Sequence, residues 1–303
     1  MKQIKTKAHY NAVGKKSMQL TTEEALKQRS QDESYEMRAF HNKIKMELIR
    51  AFVPPASSLL DLCCGRGGDI DKWAHAGIKS VTAIDISENE IKEATLRLSK
   101  QIQKNNKSFK LKLTYPSVKF SVTDQLGQNI LEFDDRPFDA VTCFFAVQYF
   151  FESETSLHYL LQTVVKNLKP GGYFVGTCPD AKQIMTFVAK SHNTETNVMT
   201  IEKKWQGDPG PFGSEYRISI KKTVTDDTDL PTPHTEFLAF ESVLTKAAAK
   251  YGLKPVEAID IFGLCEPHSS TGLFRRFSPT FDDNYQEWSA VSQTNVAFAF
   301  VLY

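Results

Sequence analysis

The sequence predicts an α/β protein: a seven-stranded, mostly parallel sheet flanked by helices, with a hairpin-like insertion after the fifth strand. Three observations predict it. Short apolar runs alternate with segments of helical period, the pattern of parallel strands joined by right-handed crossovers. The first run, Leu59–Leu62, feeds the glycine turn Gly65-Arg66-Gly67-Gly68, and Ile70–Ala76 then reads as a helix. Acidic or aromatic residues recur where the runs end, at Asp61, Asp85, Asp124 and Phe144–Tyr149. The carboxyl ends of such strands are where ligands bind.

Taken in order, residues 1–33 are polar and poor in large apolar groups, an arm with at most one short helix around Thr22–Lys27. Residues 34–303 form the main domain. Met37, Phe40, Ile44, Leu48 and Phe52 recur at helical spacing, and Pro54-Pro55 ends that helix. Arg38, Asn42 and Lys45 share another of its faces. Ser80–Ile86 is the second strand, and Ser87 with Glu90 makes a capping box for a helix over Glu88–Gln103. Val118–Val122 and Phe138–Phe145 are the third and fourth strands. Thr155–Leu168 is a helix stopped by Lys169-Pro170-Gly171-Gly172, and Tyr173–Thr177 is the fifth strand. Lys182–Lys190 looks helical. Met199–Trp205 and Glu215–Thr225 alternate like two strands around a turn-rich segment, so the insertion covers about 181–235. Phe240–Tyr251 is a helix ended by Gly252, Val256–Ile261 and Asn295–Tyr303 are strands six and seven, and the polar stretch Ser269–Gln293 reads as loops.

The composition narrows the function classes. Thirty-seven Lys and Arg stand against 36 Asp and Glu over 303 residues, so any contact with nucleic acid must come from a local basic patch. There is neither an apolar run long enough to cross a bilayer nor a signal-peptide pattern at the start. The five cysteines, Cys63, Cys64, Cys143, Cys178 and Cys265, fit no zinc spacing, and several lie in apolar runs. Buried reduced thiols in an intracellular protein are the expectation, with no metal.

A strand–glycine turn–helix unit lets backbone N–H groups approach a ligand closely. Two cofactor classes use it. A dinucleotide fingerprint wants G-x-G-x-x-G, and here the third glycine position is Ile70. An acidic residue before the turn fits an S-adenosylmethionine loop better. Asp85 follows the turn by about twenty residues, where a cofactor ribose is hydrogen-bonded.

The chain resembles the eukaryotic-type mRNA cap guanine-N7 methyltransferases, which have the class I (Rossmann-like) methyltransferase fold. The residues that carry the resemblance are HYN at 9–11, RSQ at 29–31, MRAFHNKIK at 37–45, LDLCCGRGGD at 60–69, AIDIS at 83–87, QYFFES at 148–153, LKPGGYFVGTCPD at 168–180, PFGSEY at 211–216 and EFL at 236–238. The resemblance implies that Lys45 reaches the cofactor carboxylate, that the backbone around Cys63 and Gly65 cradles the cofactor, and that Asp85 takes the ribose and Asp124 the adenine. Phe144 and Tyr149 would line the same pocket. For the cap of a GpppN-ended RNA it implies Arg66, Lys72 and Arg97 near the triphosphate. Asn42, Phe145, Gln148, Pro179, Phe212, Glu236 and Asn295 would surround the guanosine.

Four positions depart from the family: Cys63 stands for a glycine, Phe144 for a glutamine, Gln148 for a histidine and Asn295 for a tyrosine. The implied reaction is methyl transfer to guanine N7 by in-line displacement, with no acid–base residue. Other capping enzymes are implied partners. The nucleus is the implied compartment, or the cytoplasm for a viral protein. A non-catalytic cap-binding subunit and a methyltransferase for another RNA or a small molecule are the alternatives.

Overall fold

The periodicity at 37–52 resolves into helix α1, Tyr35–Phe52, which buries Met37, Ile44, Leu48, Ile49 and Phe52. Val53 turns extended directly before the two prolines, as the steric limit on a pre-proline residue requires. The computed structural model describes residues 7–9, 11, 32–108, 112–189, 194–223, 235–256, 263–267 and 275–303. The helix expected at Thr22–Lys27 lies outside them.

Strands β1 (Ser58–Leu62), β2 (Ser80–Asp85), β3 (Ser117–Val122), β4 (Phe138–Phe144) and β5 (Leu168–Pro179) are parallel neighbours in the order β3-β2-β1-β4-β5. Helices α2 (Ile70–His75), α3 (Glu88–Lys107) and α4 (Glu154–Asn167) connect them. Ile44, Leu48, Trp73 and Ile91 from α1–α3 share one core cluster with sheet residues, and Leu157, Leu160 and Leu161 of α4 belong to another. Burial on both faces explains why β1, β2 and β4 read as continuous apolar runs, whereas β3 is the exposed edge strand. β1 lies between β2 and β4, so the strand order reverses beside it. Such a reversal is where ligands of open α/β sheets bind, at the carboxyl ends of the strands.

The fifth strand is longer than expected. Leu168 already pairs with Phe138, the register then shifts, and pairing resumes at Tyr173 with Ala140. Lys169–Gly172 is therefore looped out within a strand rather than placed before it. Further along β5, Gly176 passes so close to its neighbours that an added Cβ would collide with the Cys143 carbonyl oxygen and stand 2.5 Å from Phe298 Cζ. Backbone cannot yield as a flexible side chain can. Gly176→Ala is expected to lower the melting temperature by about 5 °C or more. Thermal unfolding followed by circular dichroism checks this, and an unchanged midpoint would refute it.

After helix α5 (Ala181–Ala189) the chain builds a second sheet, from β6 (Thr194–Glu195), β7 (Met199–Lys203), β8 (Glu215–Ile220) and β9 (Thr235–Phe237), all antiparallel. The expected hairpin is thus the centre of a four-stranded sheet. Its outer strands have two and three residues, too few for alternation to reveal them. Helix α6 (Glu241–Ala249) leads through Gly252, at φ +80°, into β10 (Leu253–Pro255). That strand begins three residues before the expected sixth strand, and 257–261 of the expected span lie outside the described residues.

The reading of 269–293 as loops is corrected. Residues 275–277 form β12 (Arg275–Phe277), which pairs with β11 (Cys265–Pro267), and helix α7 spans Gln286–Gln293. Trp288 and Val291, three residues apart, anchor α7 in the core, and its remaining positions are polar or small. So narrow an apolar stripe falls below a periodicity signal. β13 (Asn295–Leu302) runs antiparallel to β5 and also pairs β10 and β12, which widens the main sheet to nine strands. No helix among the described residues is long and apolar enough to cross a membrane.

Candidate active site

The glycine turn after β1 is built around left-handed backbone. Cys63, Gly65 and Gly67 sit at φ +63°, +52° and +70°. At Gly67 a Cβ would lie 2.5 Å from Ile70 Cδ1, so only glycine lets the turn close against α2. Cys63 follows a path that glycine adopts freely, as a side-chain residue in the αL region. The Gly65 N–H donates to Asp85 Oδ2 at 2.8 Å, and the Ser87 N–H donates to Oδ1 at 2.9 Å. Asp85 therefore ties the turn to the end of β2. Burial pushes its carboxyl up to about 6, against the opposing effect of the Ser87 and Gly65 N–H bonds.

Half of the expected capping box is present, because Ser87 Oγ accepts from the Glu90 N–H. The Glu90 carboxylate instead receives Arg66 through Nε at 3.1 Å and Nη2 at 2.9 Å. Burial, and next the charge of Arg66, lower the pKa of Arg97 on the same helix. Two guanidinium groups thus lie near one another beside the turn, with Glu90 between them in charge.

On the other side, Lys45 of α1 reaches Asp69, the last residue of the turn, at 2.7 Å. Lys72 contacts the same Oδ1 at 2.9 Å. Burial opposes ionisation of Asp69, and the two ammonium groups outweigh it, so its pKa falls below the ordinary carboxylate value. Lys72 also donates to Asn42 Oδ1 at 2.7 Å and to the Gly68 carbonyl at 2.8 Å. Lys72, the residue expected at a triphosphate, ties the turn to α1 here. Asn42 is similarly engaged, with its amide donating to the Arg38 carbonyl at 2.9 Å. Asp61, at the end of β1, accepts from Thr142 Oγ1 at 2.6 Å, and burial followed by the charge of Asp69 raises its pKa to about 8.

A second group gathers at the carboxyl end of β4. Phe145 sits at φ +55°, held by N–H bonds to the Thr177 carbonyl at 2.8 Å and to Thr177 Oγ1 at 3.1 Å. A bulky residue in this backbone region is a strained feature of the kind found at functional sites. His41 stacks on the ring at 5.3 Å, and Phe277 meets it edge-on at 6.2 Å. Burial, and then Lys45, drop the pKa of His41 to about 3, so it stacks as a neutral ring.

Glu236 of β9 is 4% exposed, yet its carboxylate is well supplied with donors. Tyr216 Oη donates to Oε2 at 2.6 Å, and Gln148 Nε2 and Tyr149 Oη approach Oε1 at 3.1 and 3.4 Å. Gln148 Nε2 also donates to the Phe145 carbonyl at 2.9 Å, which joins Glu236 to the strained phenylalanine. The buried Gln148 Oε1 has no partner among the described residues.

Of the expected site residues, Lys45, Cys63, Gly65 and Asp85 meet at the turn, with Phe144 beneath the Lys45 ammonium at 5.6 Å from its ring centroid. Phe145, Gln148, Tyr149 and Glu236 meet at the second group. Pro179 ends β5 opposite Asn295. Three further expected residues have other partners in the protein. Asp124 is half-exposed and pairs with Lys7 at 3.1 Å. Phe212 packs on Phe151 at 6.0 Å. The Asn295 amide donates to the carbonyls of Val291 at 3.1 Å and Ser292 at 3.4 Å, so it caps α7. Three residues of the site carried no individual expectation: Asp69, His41 and Tyr216. All lie inside motifs that were noted, but these partners are 20 to 104 positions away, and local spacing does not express such pairings. Among the described residues no cluster of three His, Cys, Asp or Glu side chains is placed to hold a metal ion.

The turn suits S-adenosylmethionine by the chemistry of its donors. A methionine moiety carries a carboxylate and an ammonium, and Lys45 beside Asp69 offers the opposite charges. A ribose diol needs an acceptor, and Asp85 is one. The fold and this site together define a class I S-adenosylmethionine-dependent methyltransferase fold. A methyltransferase of this type from Clostridium acetobutylicum shares it with a TM-score of 0.54 at 15% identity, over 87% of this chain and 91% of that one. The CcbJ methyltransferase from Streptomyces caelestis does likewise, with a TM-score of 0.54 at 15% identity over 86% and 90%.

The sequence narrows the class further. A family model described as the mRNA (guanine-N(7))-methyltransferase domain matches residues 1–294, and this chain belongs to that family. It is similar to the mRNA cap guanine-N(7) methyltransferase of Drosophila melanogaster, 31% identical over 81% of this chain and 57% of that protein. The Arabidopsis thaliana mRNA cap guanine-N(7) methyltransferase 1 is 31% identical over 78% of this chain and 63% of its own length. The chain thus spans about three-fifths of the length of these relatives.

Proposed function

We propose that this chain transfers a methyl group from S-adenosylmethionine to N7 of the guanosine that caps the 5′ end of RNA. The observation that carries the reading is the buried Glu236 carboxylate, held by Tyr216 and Gln148 and linked through Gln148 to the Phe145 backbone. The N1–H and exocyclic amine of guanine are a pair of donors that match the two oxygens of a carboxylate. Phe145, backed by neutral His41, offers a ring on which a base can stack.

S-adenosylmethionine, when bound, supplies an electrophilic methyl on a sulfonium sulfur. Lys45, Asp69, Gly65 and Asp85 are the residues that would hold it. Guanine N7 carries a lone pair and no proton, so no general base is required, and the residues act by positioning. Methylation at N7 would leave the guanine ring positively charged. Glu236 then faces a cationic ring, which stabilises the transition state more than the ground state. In this reading Arg66 and Arg97 are the cations that take the triphosphate.

The replacement of the motif glycine by Cys63 favours a non-catalytic reading. Its φ of +63° argues the other way, because the backbone keeps a glycine-like path. The relatives' names support action on mRNA caps; action in the nucleus alongside other capping enzymes is part of the proposal. The deciding experiment is methyl transfer from labelled cofactor to GpppRNA, with GTP and uncapped RNA as controls and nuclease release of the cap. Labelled 7-methylguanosine caps are expected. Cofactor binding without transfer would favour a cap-binding subunit or another substrate.

A further inference from the structure

Phe145 is held in a conformation that packing alone does not call for. A φ of +55° is rare for a bulky side chain, and the chain leaves that region at once, with Ala146 at φ −138°. The ring is only half-buried, so complete burial of the side chain does not offset the strain. A strained backbone persists where its surroundings over-determine it, and such residues gather at ligand clamps.

Three handles fix this residue. Its N–H donates to the carbonyl oxygen and to Oγ1 of Thr177 in β5, at 2.8 and 3.1 Å. Its carbonyl accepts from Gln148 Nε2 at 2.9 Å, and the same amide nitrogen reaches Glu236 at 3.1 Å. On the ring, His41 of α1 stacks at 5.3 Å with 23° between the planes. His41 is fixed in turn. Its Nε2 and the buried Ser292 Oγ of α7 are hydrogen-bonded at 3.0 Å. Phe277 of β12 meets both rings edge-on, at 5.2 Å from His41 and 6.2 Å from Phe145.

Neither Thr177 nor His41 is the residue that packing would choose. A phenyl ring would fill the place of His41 without the need for a hydrogen-bond partner among aromatic neighbours. Thr177 is 0% exposed on a strand that a valine would suit, and its side-chain oxygen accepts from Phe145. Both choices make sense through what they do to Phe145. Gln148 ties the same residue to Glu236, so the ring and the carboxylate keep one relation to each other.

We infer that Thr177 and His41 are positioning residues that preset the Phe145 ring as the stacking surface for the cap guanine, Thr177 through the backbone and His41 through the ring face. The inference rests on the reading of the chain as acting on the cap. A base then meets a ring whose orientation is settled before it arrives, so binding loses less conformational freedom. Both residues act through Phe145 and not on the reacting atoms, so their removal weakens cap binding and leaves the rate at saturation as it was.

The test uses Thr177→Val, which removes Oγ1 at nearly the same shape, and His41→Ala, which removes the ring. Thr177→Ser and His41→Phe are the conservative counterparts. Initial rates with GpppG at saturating cofactor are expected to give a KM about fivefold higher for Thr177→Val and about tenfold higher for His41→Ala, with kcat and S-adenosylmethionine affinity retained. The Ser and Phe variants should return KM to within about twofold of the wild type. In a Phe145→Ala background, which itself raises KM, the Val and Ala substitutions should add nothing, because residues that act through one ring lose their effect when it is gone. A full effect of either substitution in that background would overturn the inference, as would an unchanged KM in Thr177→Val or His41→Ala. So would failure of His41→Phe to restore KM where Ser292→Ala reproduces the rise, which would assign the effect to the docking of α7. Equilibrium titration of GpppG repeats the series without turnover. If the affinities change as stated but no cap is methylated, the positioning stands and the methyl-transfer reading falls.

Discussion

Glu236→Ala is expected to reduce kcat/KM for a capped substrate by about 100-fold or more, with cofactor affinity retained. Two effects combine. The substitution removes a two-point reading of the guanine edge, and it removes the anion that faces the ring as it becomes cationic. The loss should therefore appear in kcat as well as KM. The vacated site would also strand the buried Tyr216 hydroxyl and the Gln148 amide, which costs stability. Glu236→Gln separates the two effects, because it keeps the shape and most hydrogen bonds but not the charge. Initial rates with GpppG and equilibrium titration of S-adenosylmethionine make the measurement. A Gln variant with wild-type kcat would show that the charge has no part in the reaction.

Asp85→Ala is expected to weaken S-adenosylmethionine binding by about 100-fold, from hydrogen bonds to a charged acceptor that the ribose can no longer make and a turn that is no longer tied down through Gly65. In the wild type the same residue predicts a pH dependence. Burial raises its carboxyl to about 6. Binding that needs the carboxylate should hold above pH 6 and weaken about tenfold per unit below it. Stability runs the opposite way. The folded-state pKa lies above the ordinary value of 3.8, so the contribution of Asp85 is fully present below about pH 4 and is lost as pH rises through 6. Calorimetric titration of the cofactor at pH 5, 6 and 7 checks the first statement. Thermal unfolding of wild type and Asp85→Asn over the same range checks the second. An affinity flat from pH 5 to 7 would exclude Asp85 as an ionised ligand.

The two variants probe different halves of the site. Lys72 and Asn42 show why such a division could not be drawn from motifs. Their residue types suit an RNA ligand, but their polar groups are bonded to the turn and to α1. Asn295 is a further instance, since its amide is used by the helix that precedes it.

What the sequence by itself determined follows from short-range rules. Continuous apolar runs specify buried parallel strands, glycines specify a left-handed turn, and an acid at a strand end specifies a ligand-facing group. The succession of strands β1–β5 and the position of Asp85 at a strand end were legible for that reason, whereas Lys45 and Glu236 were expected at the site only through the family resemblance. The added strands of the two sheets, helix α7 and the bonding of Lys72 were decided only in the tertiary structure. Strands of two or three residues carry no period, and an eight-residue helix anchored by Trp288 and Val291 presents too narrow a stripe. Whether a lysine faces solvent, a carboxylate or a ligand depends on partners far along the chain. Lys45 meets Asp69, and Tyr216 meets Glu236, only once the sheets have formed and water has been excluded from between them.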